Sequence, residues 1–183
     1  MKTKQNTWVL SLILILSIVT TRVIAQEIYW YNFVPLVAFS LFSGALPSLR
    51  PWGYLLPLAG LLASDLYFHF FTNFTGFYGP EQGLVYLGFA LVALLGSRMS
   101  SLRMAPALGF TLTGSLIFFL VSNFGTFLTG QWGSGWAGLT KTYWMAIPFF
   151  RNSLMADLLG SFAVFGLYSL SLKWRRRTLV TKS

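Results

Sequence analysis

Six stretches of the chain are almost free of charge, and polar residues collect where they end. The apolar runs cover about Trp8 to Ala25, Asn32 to Pro47, Trp52 to Phe71, Leu84 to Gly96, Ala105 to Leu128 and Asn152 to Leu172. Runs of this kind predict transmembrane helices, which need roughly 20 apolar residues to cross a bilayer untilted. The fourth is short, so it draws in flanking residues or meets a locally thinned membrane. Pro35, Pro57 and Pro106 fall near span ends or in early turns, where a missing N–H matters least, and Pro148 is expected to break the chain before the last helix. The predicted fold is all-α: a single transmembrane domain over residues 1–183, built from six transmembrane helices.

Composition agrees with the pattern. Of 183 residues, 55% are hydrophobic and 9% charged, and the mean hydropathy of +0.66 leaves too little polar surface to cover a soluble globule. The lipid bilayer is therefore the first partner. A net charge of +9 would also suit nucleic acid, but the basic residues sit at the ends of apolar runs and not along one polar face, so no nucleic acid is expected. The absence of Cys removes disulfides, thiolate metal sites and a Cys nucleophile.

The basic residues also orient the bundle. With the N-terminus cytoplasmic, Lys2, Lys4, Arg50, Arg98, Arg103, Lys173, Arg175, Arg176, Arg177 and Lys182 fall inside, against only Arg22, Lys141 and Arg151 outside. Both termini are then cytoplasmic, and residues 173–183 form a basic tail. The loop from Asn73 to Gln82 and the segment from Thr129 to Arg151 lie outside. Trp132, Trp136, Tyr143 and Trp144 suit a short interfacial helix before the last span, with Ser134 as its cap. Residues 1–25 have a rival reading as a signal peptide, from Lys2, Lys4, the run Val9 to Val19 and the pattern Val23-Ile24-Ala25. A retained helix is favoured, because the stretch nearly spans a bilayer and Arg22 crowds the cleavage site.

Polar residues within the spans gather in the outer half. Asp65 and His69 approach the outer end of span three, Tyr86 begins span four and Asn123 ends span five. Asn32 begins span two, and Arg151, Asn152 and Asp157 open span six. At 1.5 Å per residue the two Asp residues lie roughly 9–10 Å inside their helix ends, deep enough to floor a cavity open to the outside. A carboxylate at that depth is costly and marks a ligand, ion or proton site by default. These eight residues are the candidate ligand-binding set. Each also has a structural reading. His69, four residues from Asp65, would orient it. Asp157, one turn from Ser153, would be a hydrogen-bonded packing residue. Tyr86, Asn32 and Asn123 would be anchors or interhelical hydrogen bonds. Arg151 is six residues from Asp157 and faces elsewhere, so it snorkels outward, meets Asp65 across helices, or binds an anionic group. A short echo links Thr72-Asn73-Phe74-x-x-Phe77 to Ser122-Asn123-Phe124-x-x-Phe127, hinting at duplicated helix ends.

No catalytic motif appears: there is no His-Glu-x-x-His pair, no Gly-x-Ser-x-Gly turn and no phosphate loop, and one His rules out a multi-His metal site. The protein is read as not an enzyme. Several blocks carry a resemblance. They are Asn32-Phe33-x-Pro35-x-x-Ala38-x-x-Leu41-Phe42-x-Gly44, Ser64-Asp65, Val85-Tyr86-x-x-Phe89, Ser115-x-x-Phe118-Phe119-x-x-Ser122-Asn123-Phe124 and Ala146-Ile147-Pro148-Phe149-Phe150-Arg151-Asn152-Ser153-Leu154-x-x-Asp157. Together they resemble the signature of an uncharacterised family of small bacterial membrane proteins, which places the chain in the bacterial inner membrane. That family is similar in size and six-helix layout to the S components of energy-coupling-factor vitamin transporters. The resemblance implies an S-component-like bundle that captures a small vitamin-like molecule, such as a corrinoid, in an outward-facing pocket, with energising transporter subunits as partners. Span one offers only Ser17 and Thr21 where S components carry a seam of small Ala residues, and His69 is the ligand left for a corrinoid cobalt. The alternatives are a non-transporting structural or assembly subunit and, third, an intramembrane enzyme. The sequence names no cofactor.

Overall fold

The computed structural model describes residues 7–49 and 51–180, with only the backbone of 173 and 175–180. Lys2, Lys4, Arg50 and Lys182, and the side chains of Lys173 and Arg175 to Arg177, lie outside this description. Among the described residues the chain is all-helical: α1 (Thr7–Glu27), α2 (Leu36–Ala45), α3 (Leu55–Phe71), α4 (Gln82–Gly96), α5 (Met104–Leu128) and α6 (Gly135–Val180). Two 3₁₀ turns, Pro47–Leu49 and Trp52–Tyr54, join α2 to α3. Four segments are long and apolar enough to cross a membrane: Thr7–Glu27, Trp52–Phe71, Met104–Leu128 and Gly135–Leu172. α2 and α4 are shorter apolar helices.

α2 is the centre of the bundle. Every residue from Val37 to Ala45 is buried, with α4, α5 and α6 packed around it and α1 and α3 beside it. An apolar run from Asn32 to Pro47 predicts a longer helix, but backbone geometry cuts it at both ends. Asn32 is left-handed at φ 62°, Pro35 sits at ψ 50°, and Leu46 is extended at ψ 115° before Pro47, as a residue preceding proline prefers. At 1.5 Å per residue α2 is about 15 Å long, half the hydrocarbon thickness. Two glycines let α4 close on it. A methyl group at Gly44 would strike the Ala93 carbonyl, and one at Gly96 the Leu41 carbonyl, so the two backbones meet where side chains are absent.

The last helix corrects the expectation of a break and a separate interfacial helix. α6 runs unbroken through Pro148. Proline removes a single intrahelical hydrogen bond, while antiparallel packing on α5 holds the helix on both sides of it. The Tyr143 hydroxyl donates to the Leu120 carbonyl at 2.7 Å, the Phe150 ring lies 4.6 Å from Phe119, and Thr111 and Ser161 share a 2.6 Å hydrogen bond. The supposed echo is not structural either. Thr72 caps the end of α3 in extended conformation, whereas its counterpart Ser122 lies inside α5.

Candidate ligand cavity and its buried carboxylates

The helices leave a cavity of about 380 Å³ at the end of the bundle where α1, α3 and α5 finish and α2 and α4 begin. The 28–35 connection contributes Trp30, Tyr31 and Asn32 to its wall, and α6 contributes residues from Ala146 to Asp157. That connection is tightly turned, since Tyr29 (φ 57°) and Asn32 (φ 62°) both adopt the left-handed region. Asn tolerates it, whereas Tyr pays a steric penalty of about 1–2 kcal/mol. Most of the remaining wall is aromatic. Phe89 of α4 stacks on Phe118 of α5 with centroids 4.1 Å apart, and Phe119 and Phe150 tilt together beside them.

Behind Arg22 of the cavity wall lies Asp65. Its carboxylate is 2% exposed and accepts three hydrogen bonds. Arg22 Nη1 donates to Oδ1 at 2.6 Å, while Gln82 Nε2 at 2.8 Å and the Tyr86 hydroxyl at 2.6 Å both reach Oδ2. Arg22 Nη1 also reaches the Leu61 carbonyl at 3.1 Å and Ser64 Oγ at 2.5 Å, and its guanidinium lies 5.6 Å from the Phe68 ring. The 72–81 loop is pinned over this cluster. Gln82 Nε2 donates to the Gly76 carbonyl and Gln82 Oε1 accepts from Tyr78 N–H. Burial, then the negative charge of Asp65, pushes the Tyr78 phenol up to about 12, so it stays protonated as a donor beside the cavity.

Asp157 lines the cavity itself, also 2% exposed and with no cation within ion-pair distance among the described residues. Its Oδ1 accepts from the Val37 backbone N–H at 3.1 Å and its Oδ2 from the Ser115 hydroxyl at 2.9 Å. Val37 lies in the first turn of α2, where backbone N–H groups have no intrahelical acceptor, and Pro35 supplies no side-chain cap. Asp157 is thus an N-cap supplied from another helix, and the helix dipole favours its charge. Gly160, one turn on, admits Pro35 against α6.

A model of a family of unknown function, DUF6580, matches residues 1–179. The chain belongs to that family. No curated protein and no solved structure matches it. In this DUF6580 member the eight candidate residues divide. Asn32, Asn123 and Asp157 line the cavity. Asp65 and Tyr86 form the network that holds Arg22 at its wall. His69, Arg151 and Asn152 do neither, and all three are exposed.

Two expected partnerships are therefore corrected. Asp65 pairs with Arg22, not Arg151, because Arg22 comes level with it on the adjoining helix α1. His69 does not orient Asp65, whose carboxylate is held by Arg22, Gln82 and Tyr86. The imidazole packs edge-on to Phe70 and Phe77. Sequence reasoning missed Arg22 and Gln82. Arg22 carried a signal, as a charge inside the first apolar run; a neutral amide in a loop carried none.

Proposed function

We propose that the protein is an integral membrane binding and uptake protein that captures a small vitamin-like molecule without converting it. The cavity carries this reading. Its volume of about 380 Å³ falls in the lower part of the roughly 300–1,000 Å³ range of small-molecule sites, and aromatic walls with a few placed polar groups are the composition such sites have. The size favours a molecule smaller than a corrinoid. In this reading α2 and α4 complete a six-helix, S-component-like arrangement with both termini cytoplasmic in the bacterial inner membrane. Lys and Arg divide ten to three in favour of that orientation. The cavity then opens outward, and energising subunits would meet the opposite end.

A second reading, a non-transporting structural or assembly subunit, draws on the full engagement of both Asp carboxylates by the protein itself. Native mass spectrometry of the full-length protein separates the two. The wild type should carry a bound small molecule, and Ser122→Phe, which fills the cavity from α5, should lose it while remaining folded. A wild-type protein that carries nothing, or a variant that keeps the same molecule, favours the structural subunit.

A further inference from the structure

We infer that the ligand is a small planar carboxylic acid and that Arg22 recognises its carboxylate. The inference rests on the binding reading above and names the class of molecule that the same cavity takes. Arg22 is the one cation among the described cavity-lining residues. Its Nη1 is committed to Leu61, Ser64 and Asp65, whereas Nε and Nη2 have no hydrogen-bond partner among the described residues and are not sealed from solvent. These two nitrogens form one edge of the guanidinium fork, with two N–H donors in a plane, and that edge matches a carboxylate bidentately. Asp65 is a positioning residue. Gln82 and Tyr86 fix its carboxylate and the carboxylate fixes Nη1, which leaves the other edge of this cavity-lining residue without a partner among the described residues.

The charge balance disfavours a dianion more than a monoanion. Arg22, Asp65 and Asp157 sum to one negative charge, so a ligand carboxylate is held by the paired N–H donors of the guanidinium edge and not by net charge, and the second charge of a phosphate would add repulsion without adding a donor. The walls select a flat body. A ring sliding beside the Phe89–Phe118 stack and the Phe119–Phe150 pair keeps aromatic contact along its length. Away from Arg22 the cavity offers acceptors. Asn123 donates one amide N–H to the Phe119 carbonyl and Ser122 its hydroxyl to the Phe118 carbonyl, which leaves both side-chain oxygens on the cavity wall for an N–H or O–H on the ring.

Thermal unfolding of the full-length protein in detergent with matched pairs of probes tests this: benzoate against benzamide, and nicotinate against nicotinamide. At about 5 mM at least one acid should raise the wild-type melting temperature by about 2–5 °C, with its amide giving no shift. Arg22→Gln should lose the response. Because that change leaves Asp65 without its cation, the double variant Arg22→Gln/Asp65→Asn serves as the folded control and should be equally unresponsive, whereas Asp65→Asn alone, which keeps the guanidinium but loses its positioning, should respond more weakly than wild type. Amides that stabilise as well as acids, acids that still stabilise the double variant, or four inert probes would each overturn the inference. A neutral molecule in the native mass spectrum would sink it too, while leaving the binding reading intact; an empty wild-type protein sinks both.

Discussion

Asp65 and Asp157 are buried to the same degree within one small bundle, yet one is neutralised by an arginine from α1 and the other by a helix end and a hydroxyl. The difference shows in what each acid organises. Asp65 gathers α1, α3, α4 and the 72–81 loop around one charge and keeps a guanidinium at the cavity wall. Asp157 ties α6 and α5 to the start of the central helix, and its worth lies in satisfying a backbone group that α2 cannot satisfy alone. A buried ion pair is sensitive to the loss of one partner because the other charge is stranded. A carboxylate held by neutral donors is replaceable by an amide of the same shape.

The widest gap should open at Arg22. Removing it by Arg22→Gln strands the Asp65 carboxylate and should cost roughly 3–5 kcal/mol of stability, while Arg22→Gln/Asp65→Asn should recover a large part of that loss. Thermal unfolding of the four proteins in the cycle reads this directly, and strictly additive losses would mean that the two residues do not interact. At Asp157 the effect should be smaller and should depend on shape. Asp157→Ala leaves the Val37 N–H without an acceptor, a loss of about 1–3 kcal/mol, whereas Asp157→Asn keeps an acceptor for it and lets Ser115 turn to accept, at about 1 kcal/mol or less. Equal losses for the Ala and Asn changes would show that charge, and not capping, is what α2 requires. The smallest effect should come from Arg151→Gln and His69→Ala, each within about 0.5 kcal/mol of wild type, because both residues are exposed. A loss of the size seen at Arg22 would return Arg151 to the electrostatic core.

Hydropathy made much of this fold readable. The ends of α1, α3, α4 and α5 fall close to the ends of the apolar runs, and a lone Asp within such a run was enough to mark both carboxylates. What it could not convey was how side chains meet across helices. Arg22 read as an outer-face charge for topology, although its depth in α1 matches that of Asp65 in α3. The shortness of α2 was hidden because apolar residues continue past both ends, and only the left-handed Asn32 and the extended Leu46 break the helix. Pro148 misled in the other direction, since packing against α5 carries α6 across it.

The cap on α2 comes from a residue 120 positions further along the chain. At translation rates of about 5–20 residues per second, Asp157 emerges roughly 6–24 s after Val37. During that interval a helix half the thickness of the bilayer has a bare N-terminus and no α6 to cap it, in a solvent that cannot satisfy its backbone. Insertion of this chain is thus completed from the C-terminal side. A product that stops before α6 lacks the acceptor for the Val37 N–H and so leaves this helix end unfinished.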